Sequence, residues 1–316
     1  MLISMGLILI GFVLLYYGAE GLVKGSSSLA LRLKITPLAI GLTVVAFGTS
    51  MPEMIVSIKS SLTNHGDISI GNVLGSNIFN IAVILGISSL VRPLHIKYQL
   101  VKYDAPIMIL VSFLFLFFFR DFQISRFEGA IFFILFVIYT IANFYVSKKE
   151  YFKEKVHEVK ESDYPRYKHI YIEILLIIGG LVLLVLGANY LINGSIKIAR
   201  FFGISEAIIG LTIIATGTSL PELATSVVAA MHKESDIAVG NIIGSCIFNI
   251  LSILGVASLI MPISGAGISM VDVAVMIATS VILLPLLYTG WKLNRGEGTF
   301  LLCIYGAYLF YLFQKI

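Results

Sequence analysis

Long apolar segments recur along almost the whole 316-residue chain. Segments such as 172–192 and 271–288 reach or approach the roughly 20 apolar residues that a helix needs to cross a lipid bilayer. The composition agrees, because 58% of the residues are hydrophobic, only 13% are charged, and the mean hydropathy of +0.97 lies outside the usual range of a soluble domain. These features predict an all-α polytopic membrane protein.

Ten spans are predicted, near residues 3–23, 36–60, 68–91, 104–119, 127–146, 171–193, 205–230, 237–260, 270–289 and 298–314. The first has no positive n-region and no small-residue cleavage site, so it is predicted to be retained as a span. With the N-terminus outside, sixteen of the 22 Lys and Arg residues lie on the inner side. This bias favours both termini outside, and it accounts for the net charge of +4 without a nucleic-acid partner.

The chain contains an internal repeat. The segment Gly11–Pro93 aligns with Gly180–Pro262 without a gap. Within it, GLTVVAFGTSMPE matches GLTIIATGTSLPE, and DISIGNVLGSNIFNIAVILG matches DIAVGNIIGSCIFNILSILG. Between Gly41 and Gly86, 23 of 46 positions are identical. Because five spans separate equivalent points, the two copies are predicted to cross the membrane in opposite directions, as inverted repeats do in many transporters.

This repeat predicts three parts. Residues 1–147 form a first five-helix repeat with its α-repeat motif at 41–86, and residues 170–316 form a second with its motif at 210–255. Residues 148–169 are polar and of mixed charge, and they are predicted to be a cytoplasmic linker.

Each repeat places a proline and a glutamate inside a predicted span, in GTSMPE at 48–53 and in GTSLPE at 217–222. Pro52 has no N–H and crowds the carbonyl of Gly48, so the helix is predicted to kink or open there, and Pro221 should act in the same way. Freed backbone oxygens are tolerated at membrane depth only where they face protein or water, and there they can serve as ligands. The repeats therefore predict broken helices near the bilayer midplane.

Helical spacing brings oxygen-bearing groups to one face of these spans. They are Thr43, Ala46, Ser50, Glu53, Ser57, Asn72, Ser76 and Asn80 in the first repeat, and Thr212, Ala215, Ser219, Glu222, Ser226, Asn241, Ser245 and Asn249 in the second. Two carboxylates would neutralise one Ca²⁺, which takes about 6 to 8 oxygen ligands, and carboxylates at membrane depth are functional-site candidates by default. Asn72 and Asn241 could equally serve as interhelical hydrogen-bond partners.

With these motifs the chain resembles the sodium/calcium exchanger family, the cation/Ca²⁺ antiporters, in its prokaryotic ten-helix form. The mark of that family is two α-repeats with a G-T-S-x-P-E type motif and a G-S-N type motif, and both copies match here over the full ten-span length. The resemblance implies two inverted five-helix repeats, Na⁺-driven Ca²⁺ exchange by alternating access, and long, mobile first and sixth spans. It also implies Ca²⁺ and Na⁺ as transported ions, no cofactor, and a location in the prokaryotic cell membrane.

The same resemblance implies a set of ion ligands. They are Glu53, Thr49, Ser50, Ser76, Asn80 and the Ala46 backbone in the first repeat, with Glu222, Thr218, Ser219, Ser245, Asn249 and the Ala215 backbone in the second. Potassium-dependent relatives carry an aspartate where this chain has Asn80 or Asn249, so K⁺-independent exchange is favoured. Three Na⁺ for each Ca²⁺, as the resemblance implies, would make exchange electrogenic. Asn77 and Cys246 break the symmetry and are not expected to be paired ligands.

Other functions remain as alternatives. Proton/Ca²⁺ relatives carry GNxxE in place of GTSxPE, so exchange of H⁺ for Ca²⁺, or of another divalent cation, is the second choice. A passive channel is less expected, because the two-fold site forms within one chain and requires no oligomer. The sequence has no HExxH, GxSxG or Walker A pattern, so an enzyme or an ATP-driven pump is disfavoured.

Overall fold

The computed structural model describes residues 2–154, 167, 169–203 and 215–314. The helices are α1 (Leu2–Leu33), α2 (Pro37–Thr49), α3 (Met51–Leu62), α4 (Gly66–Val91), α5 (Leu100–Asp121), α6 (Arg126–Glu154), α7 (Ile170–Phe201), α8 (Ala215–Gly217), α9 (Leu220–Met231), α10 (Ser235–Ile260), α11 (Met270–Tyr288) and α12 (Arg295–Phe313). The strands are β1 (Leu94–His95), β2 (Gln123–Ile124), β3 (Ile263–Ser264) and β4 (Lys292–Leu293).

The described residues confirm the predicted all-α polytopic membrane fold. Eight helices are long and apolar enough to cross a bilayer, and α2 with α3 forms a ninth span that is bent by 48°. The remaining predicted span, 205–230, begins within residues 204–214, which lie outside the described residues, and continues in the short apolar helix α9.

Two small antiparallel sheets close the ends of the helix bundle. Strand β1 pairs with β4 and β2 pairs with β3, so each sheet takes one strand from each half of the sequence. In the alignment of the two repeats, Leu94 is equivalent to Ile263 and Leu293 is equivalent to Ile124. The pair Leu94↔Leu293 in one sheet therefore corresponds to the pair Ile124↔Ile263 in the other. This exchange is consistent with an inverted repeat. We call the end that carries β1 and β4 the linker face, because α6 ends and α7 begins there, and the opposite end the far face.

Helices α1 and α7 pack against each other in antiparallel directions. Glycines make the close approach possible, since a Cβ on Gly18 would lie 2.8 Å from the Gly180 carbonyl oxygen, and one on Gly11 would lie 2.9 Å from that of Gly187. Near the linker face the pair is joined by Glu173, which accepts hydrogen bonds from Ser28 and Arg32. Both helices are 32 residues long and extend well beyond the apolar segments that predicted them.

Helices α4 and α10 form the centre of the molecule. Their most apolar stretches are 83% and 89% buried, whereas none of the six other unbroken candidate spans among the described residues exceeds 44%. Each contains a wide π-helical turn, at Asn80–Ile84 in α4 and at Asn249–Leu254 in α10. These turns begin at equivalent asparagines of the two repeats, and no pattern in the sequence predicted them.

Candidate ion-binding site

The predicted breaks occur two residues before the motif prolines. Ser50 separates α2 from α3 with φ −84° and ψ 9°, and Ser219 precedes α9 with φ −88° and ψ 8°. Glu53 and Glu222 consequently lie in the first turns of α3 and α9. The unpaired N–H groups of a first turn carry partial positive charge, so this position stabilises a carboxylate.

Each carboxylate is held by the serine of the other repeat. The Ser50 hydroxyl lies 2.8 Å from Glu222 Oε1, and the Ser219 hydroxyl lies 3.0 Å from Glu53 Oε1. All four side chains are buried, with at most 1% of their surface exposed. The two sequence motifs, one from each half of the chain, therefore meet in one buried cluster.

The central helices add two further hydroxyls. Ser245 of α10 lies 3.0 Å from the Ser50 hydroxyl, and Ser76 of α4 lies 3.3 Å from that of Ser219. Ser76 and Ser245 are also buried. Four hydroxyls and two carboxylates predicted from the sequence thus form two equivalent hydrogen-bonded sets, each with groups from both repeats, inside an apolar bundle.

The two predicted threonines also lie across the repeats. Thr49 lies beside the Glu222 carboxylate, and Thr218 lies beside that of Glu53. The Thr49 hydroxyl donates to Asn241 Oδ1 at 3.1 Å. The Ala46 carbonyl accepts the Ser50 N–H at 3.1 Å, and its oxygen also lies 3.4 Å from the Thr49 hydroxyl.

Ala215 is described only in part. It begins the short helix α8, and the residues that precede it lie outside the described ranges. Its predicted role as a backbone ligand remains a prediction.

Asn72 and Asn241 brace the helices that follow the breaks. Asn72 Nδ2 donates to the Glu53 carbonyl at 3.2 Å and to Ser57 at 3.0 Å. Asn241 Nδ2 makes the equivalent contacts with the Glu222 carbonyl and with Ser226, at 3.5 and 3.0 Å. Of the two roles that the sequence left open, these contacts correspond to interhelical hydrogen bonding.

Asn77 contributes an interaction that the sequence analysis missed. Its Oδ1 accepts a hydrogen bond from Asn249 Nδ2 at 2.9 Å, and its Nδ2 donates to the Cys246 carbonyl at 3.2 Å. Asn77 therefore orients a predicted ligand, whereas the Cys246 side chain makes only a long contact, in which Sγ lies 3.9 Å from the Asn77 carbonyl oxygen. The position of Asn77, three residues before Asn80 in an apolar helix, could have indicated this role. Asn77 was set aside because the equivalent residue of the second repeat is Cys246.

Five oxygens of the predicted ligands in this cluster lack partners. Glu53 Oε2, Glu222 Oε2, Asn80 Oδ1, Asn249 Oδ1 and Thr218 Oγ1 are buried and have no hydrogen-bond partner among the described residues. Such atoms carry a large desolvation cost unless a donor or a cation satisfies them. The cluster combines two formal negative charges with hard neutral oxygens, the donor set that suits Ca²⁺ and Na⁺. In the described part of the chain, no three His, Cys, Asp or Glu side chains converge on a metal site, and this cluster has two carboxylates with neutral oxygens.

Two buried carboxylates at the meeting point of paired, broken helices define an ion transporter of the membrane. A family model described as sodium/calcium exchanger protein matches residues 3–145 and 172–314, two segments with the same offset as the internal repeat. The chain belongs to the sodium/calcium exchanger family. It is a multi-pass membrane protein of a family of cation exchangers and not of enzymes.

Individual relatives agree over nearly the full length. The chain is 39% identical to the putative antiporter CaxA of Alkalimonas amylolytica, with 100% of both chains covered. It is 35% identical to the sodium/calcium exchanger MaX1 of Methanosarcina acetivorans, with 97% of each covered. Among solved structures, the sodium-calcium exchanger NCX_Mj soaked without Na⁺ or Ca²⁺ matches with a TM-score of 0.84 and 32% identity, over 98% of this chain and 99% of that one.

Proposed function

We propose that the protein exchanges Na⁺ for Ca²⁺ across the cell membrane by alternating access, with Ca²⁺ held between Glu53 and Glu222. The observation that supports this most is the set of buried oxygens without partners around these two carboxylates. Their formal charge of −2 balances one Ca²⁺, and the hydroxyls, amides and backbone carbonyls of both repeats complete the donor set. The ligands are those predicted from the sequence: Glu53, Glu222, Asn80, Asn249, Thr49, Thr218, Ser50, Ser219, Ser76, Ser245 and the carbonyls of Ala46 and Ala215.

Asn80 and Asn249 support K⁺-independent exchange. Each supplies a neutral oxygen, so the site carries no further negative charge that would call for a K⁺ ion. We infer that the chain acts as two inverted repeats, 1–147 and 170–316, with both termini outside, and that it needs neither ATP nor an oligomer. The positive residues of the inner loops support this orientation.

The test is Ca²⁺ uptake by proteoliposomes loaded with Na⁺. Glu53→Gln and Glu222→Gln should each reduce uptake by about a hundredfold or more, because breaking a buried charge arrangement costs about 3–5 kcal/mol and about 1.4 kcal/mol corresponds to tenfold. Glu128→Gln is the matched control. Glu128 is half-buried outside the proposed site. It accepts the Ser125 N–H at 2.7 Å, and the side-chain oxygen of glutamine can accept the same bond, so uptake should be unchanged.

Three outcomes would contradict the proposal in whole or in part. Near-normal uptake by either site variant would remove that carboxylate from the site. Uptake that follows a proton gradient and ignores Na⁺ would favour H⁺/Ca²⁺ exchange. Uptake that proceeds without any opposing gradient would favour a channel.

A further inference from the structure

A second group of buried oxygens lies between α5 and α6, near the linker face. Asp104 ends the wide turn Leu100–Asp104 that opens α5, and Gln99 directly precedes that turn. Tyr139 and Asn143 lie one turn apart on α6. The exposed fractions of these four residues are 2% for Asp104, 4% for Gln99, 9% for Tyr139 and 5% for Asn143. None of the four belongs to the ion-exchange site.

These side chains are in mutual contact. Asp104 Oδ1 accepts from the Tyr139 hydroxyl at 3.1 Å and from Asn143 Nδ2 at 3.3 Å. Asn143 Nδ2 also lies 3.4 Å from the Tyr139 oxygen, and Gln99 lies within hydrogen-bonding reach of the Asp104 carboxylate. The contacts gather the polar ends of all four side chains around one carboxylate.

The group has more acceptors than donors. Asp104 Oδ2, Gln99 Oε1 and Asn143 Oδ1 are buried and have no hydrogen-bond partner in the part of the chain that the structure describes. Within the same residues no Lys or Arg forms an ion pair with Asp104. The charge of Glu150, two turns further along α6, adds to the negative potential at Asp104. An uncompensated carboxylate in this setting is costly unless a cation accompanies it.

The second repeat shows that packing does not require this arrangement. There the hydroxyl of Tyr308, which is equivalent to Tyr139, donates to Asp272 Oδ1 at 3.0 Å near the far face. The positions equivalent to Gln99, Asp104 and Asn143 are Ile268, Val273 and Leu312, so Asp272 lies one position before the equivalent of Asp104. The same pair of helices therefore folds with an Asp–Tyr contact alone, and the two buried amides are specific to the linker face.

We propose that Gln99, Asp104, Tyr139 and Asn143 bind one Na⁺ ion that is separate from the transported ions. One carboxylate balances one monovalent charge, and all the available ligands are hard oxygens. If Asp104 were protonated at Oδ2, that O–H could donate to the oxygen of only one of the two amides. The oxygen of the other amide would still have no hydrogen-bond partner. The bound ion would brace the corner where α2 begins, because Ser147, one turn beyond Asn143, accepts the Thr36 N–H at 2.8 Å.

The experiment uses the full chain with its transport carboxylates removed, Glu53→Gln/Glu222→Gln, purified in detergent. Thermal unfolding is followed in NaCl and in choline chloride of equal ionic strength. NaCl should raise the unfolding midpoint by a few degrees, because an ion that binds only the folded state stabilises it. Adding Asp104→Asn should abolish the rise, whereas Asp272→Asn, at the related Asp–Tyr pair, should leave it unchanged.

A second variant tests the proposal in case Asp104→Asn does not fold. Gln99→Ile/Asn143→Leu places the residues of the second repeat in this group and keeps Asp104, and it should also lose the response to NaCl. A rise that survives Asp104→Asn, a double Glu variant that does not respond to NaCl, or a rise produced by acid in place of Na⁺ would each overturn the proposal. Because the transport carboxylates are absent throughout, these results do not depend on whether the protein exchanges Ca²⁺.

Discussion

At the scale of single residues, Asn77 and Cys246 occupy equivalent positions of the two repeats but contribute different groups. Asn77 uses its side chain to hold Asn249, while Cys246 accepts the Asn77 amide through its backbone carbonyl. A substitution at Asn77 therefore removes a side-chain contact with a proposed ligand. A substitution at Cys246 keeps the backbone carbonyl that accepts from Asn77 Nδ2.

We expect Asn77→Ala to weaken Ca²⁺ exchange about tenfold, since a lost buried hydrogen bond costs about 1–3 kcal/mol. Cys246→Ala should change exchange less than twofold. Initial Ca²⁺ uptake over a range of Ca²⁺ concentrations measures both, and the effect of Asn77→Ala should appear mainly in the half-saturating concentration. Equal damage from the two variants would show that Asn77 does not act through Asn249.

At the scale of helices, the contact between α1 and α7 depends on glycines that face the partner backbone. Gly179 and Gly180 are neighbours on α7 and offer a matched comparison. A Cβ on Gly180 would lie 2.7 Å from both the Gly18 carbonyl oxygen and the Leu22 nitrogen, whereas one on Gly179 would meet nothing within 4 Å.

We expect Gly180→Ala to separate α1 from α7, to lower the unfolding midpoint by several degrees and to slow exchange. Gly179→Ala should be neutral or stabilising by up to about 1 kcal/mol, because alanine favours the helix. Thermal unfolding and Ca²⁺ uptake of the two variants provide the measurement. If Gly180→Ala matches Gly179→Ala in both, the close approach of these helices has no role in stability or transport.

The sequence predicted the helix breaks well but not the finer geometry of the helices. Pro52 and Pro221 act locally through a missing N–H, so the sequence alone can place their breaks closely. The π turns at Asn80 and Asn249 and the extension of α1 past residue 23 depend on packing against helices that are distant in sequence. The bracing role of Asn72 could not be separated from ligation for the same reason, since either role places the amide on the same helix face.

At the scale of the whole molecule, transport should respond to voltage. Two carboxylates and one Ca²⁺ sum to zero, whereas three Na⁺ would leave one positive charge at the site. One elementary charge that crosses the membrane corresponds to about 2.3 kcal/mol per 100 mV, enough to shift the Ca²⁺ balance more than tenfold. We therefore expect an interior-negative potential to slow Ca²⁺ uptake into Na⁺-loaded vesicles and an interior-positive one to accelerate it.

The potential can be set by a K⁺ gradient and an ionophore, with initial Ca²⁺ uptake followed as the gradient is reversed. Lipid vesicles without the protein, under the same gradient, give the background. Rates and final Ca²⁺ levels that do not respond to the potential would indicate two Na⁺ per Ca²⁺, and the three-ion stoichiometry would be wrong.

The crossed strand pairs also bear on how the chain is made. Strand β1 pairs with β4, and Glu53 receives its hydrogen bond from Ser219, so each must wait for a partner that is synthesised with the second half of the chain. At about 5–20 residues per second, that delay lasts on the order of ten seconds or more. During this interval the newly inserted first half holds a carboxylate without its serine and strand edges without their neighbours. Only when Ser219 and β4 have been synthesised can these groups form the contacts of the folded protein.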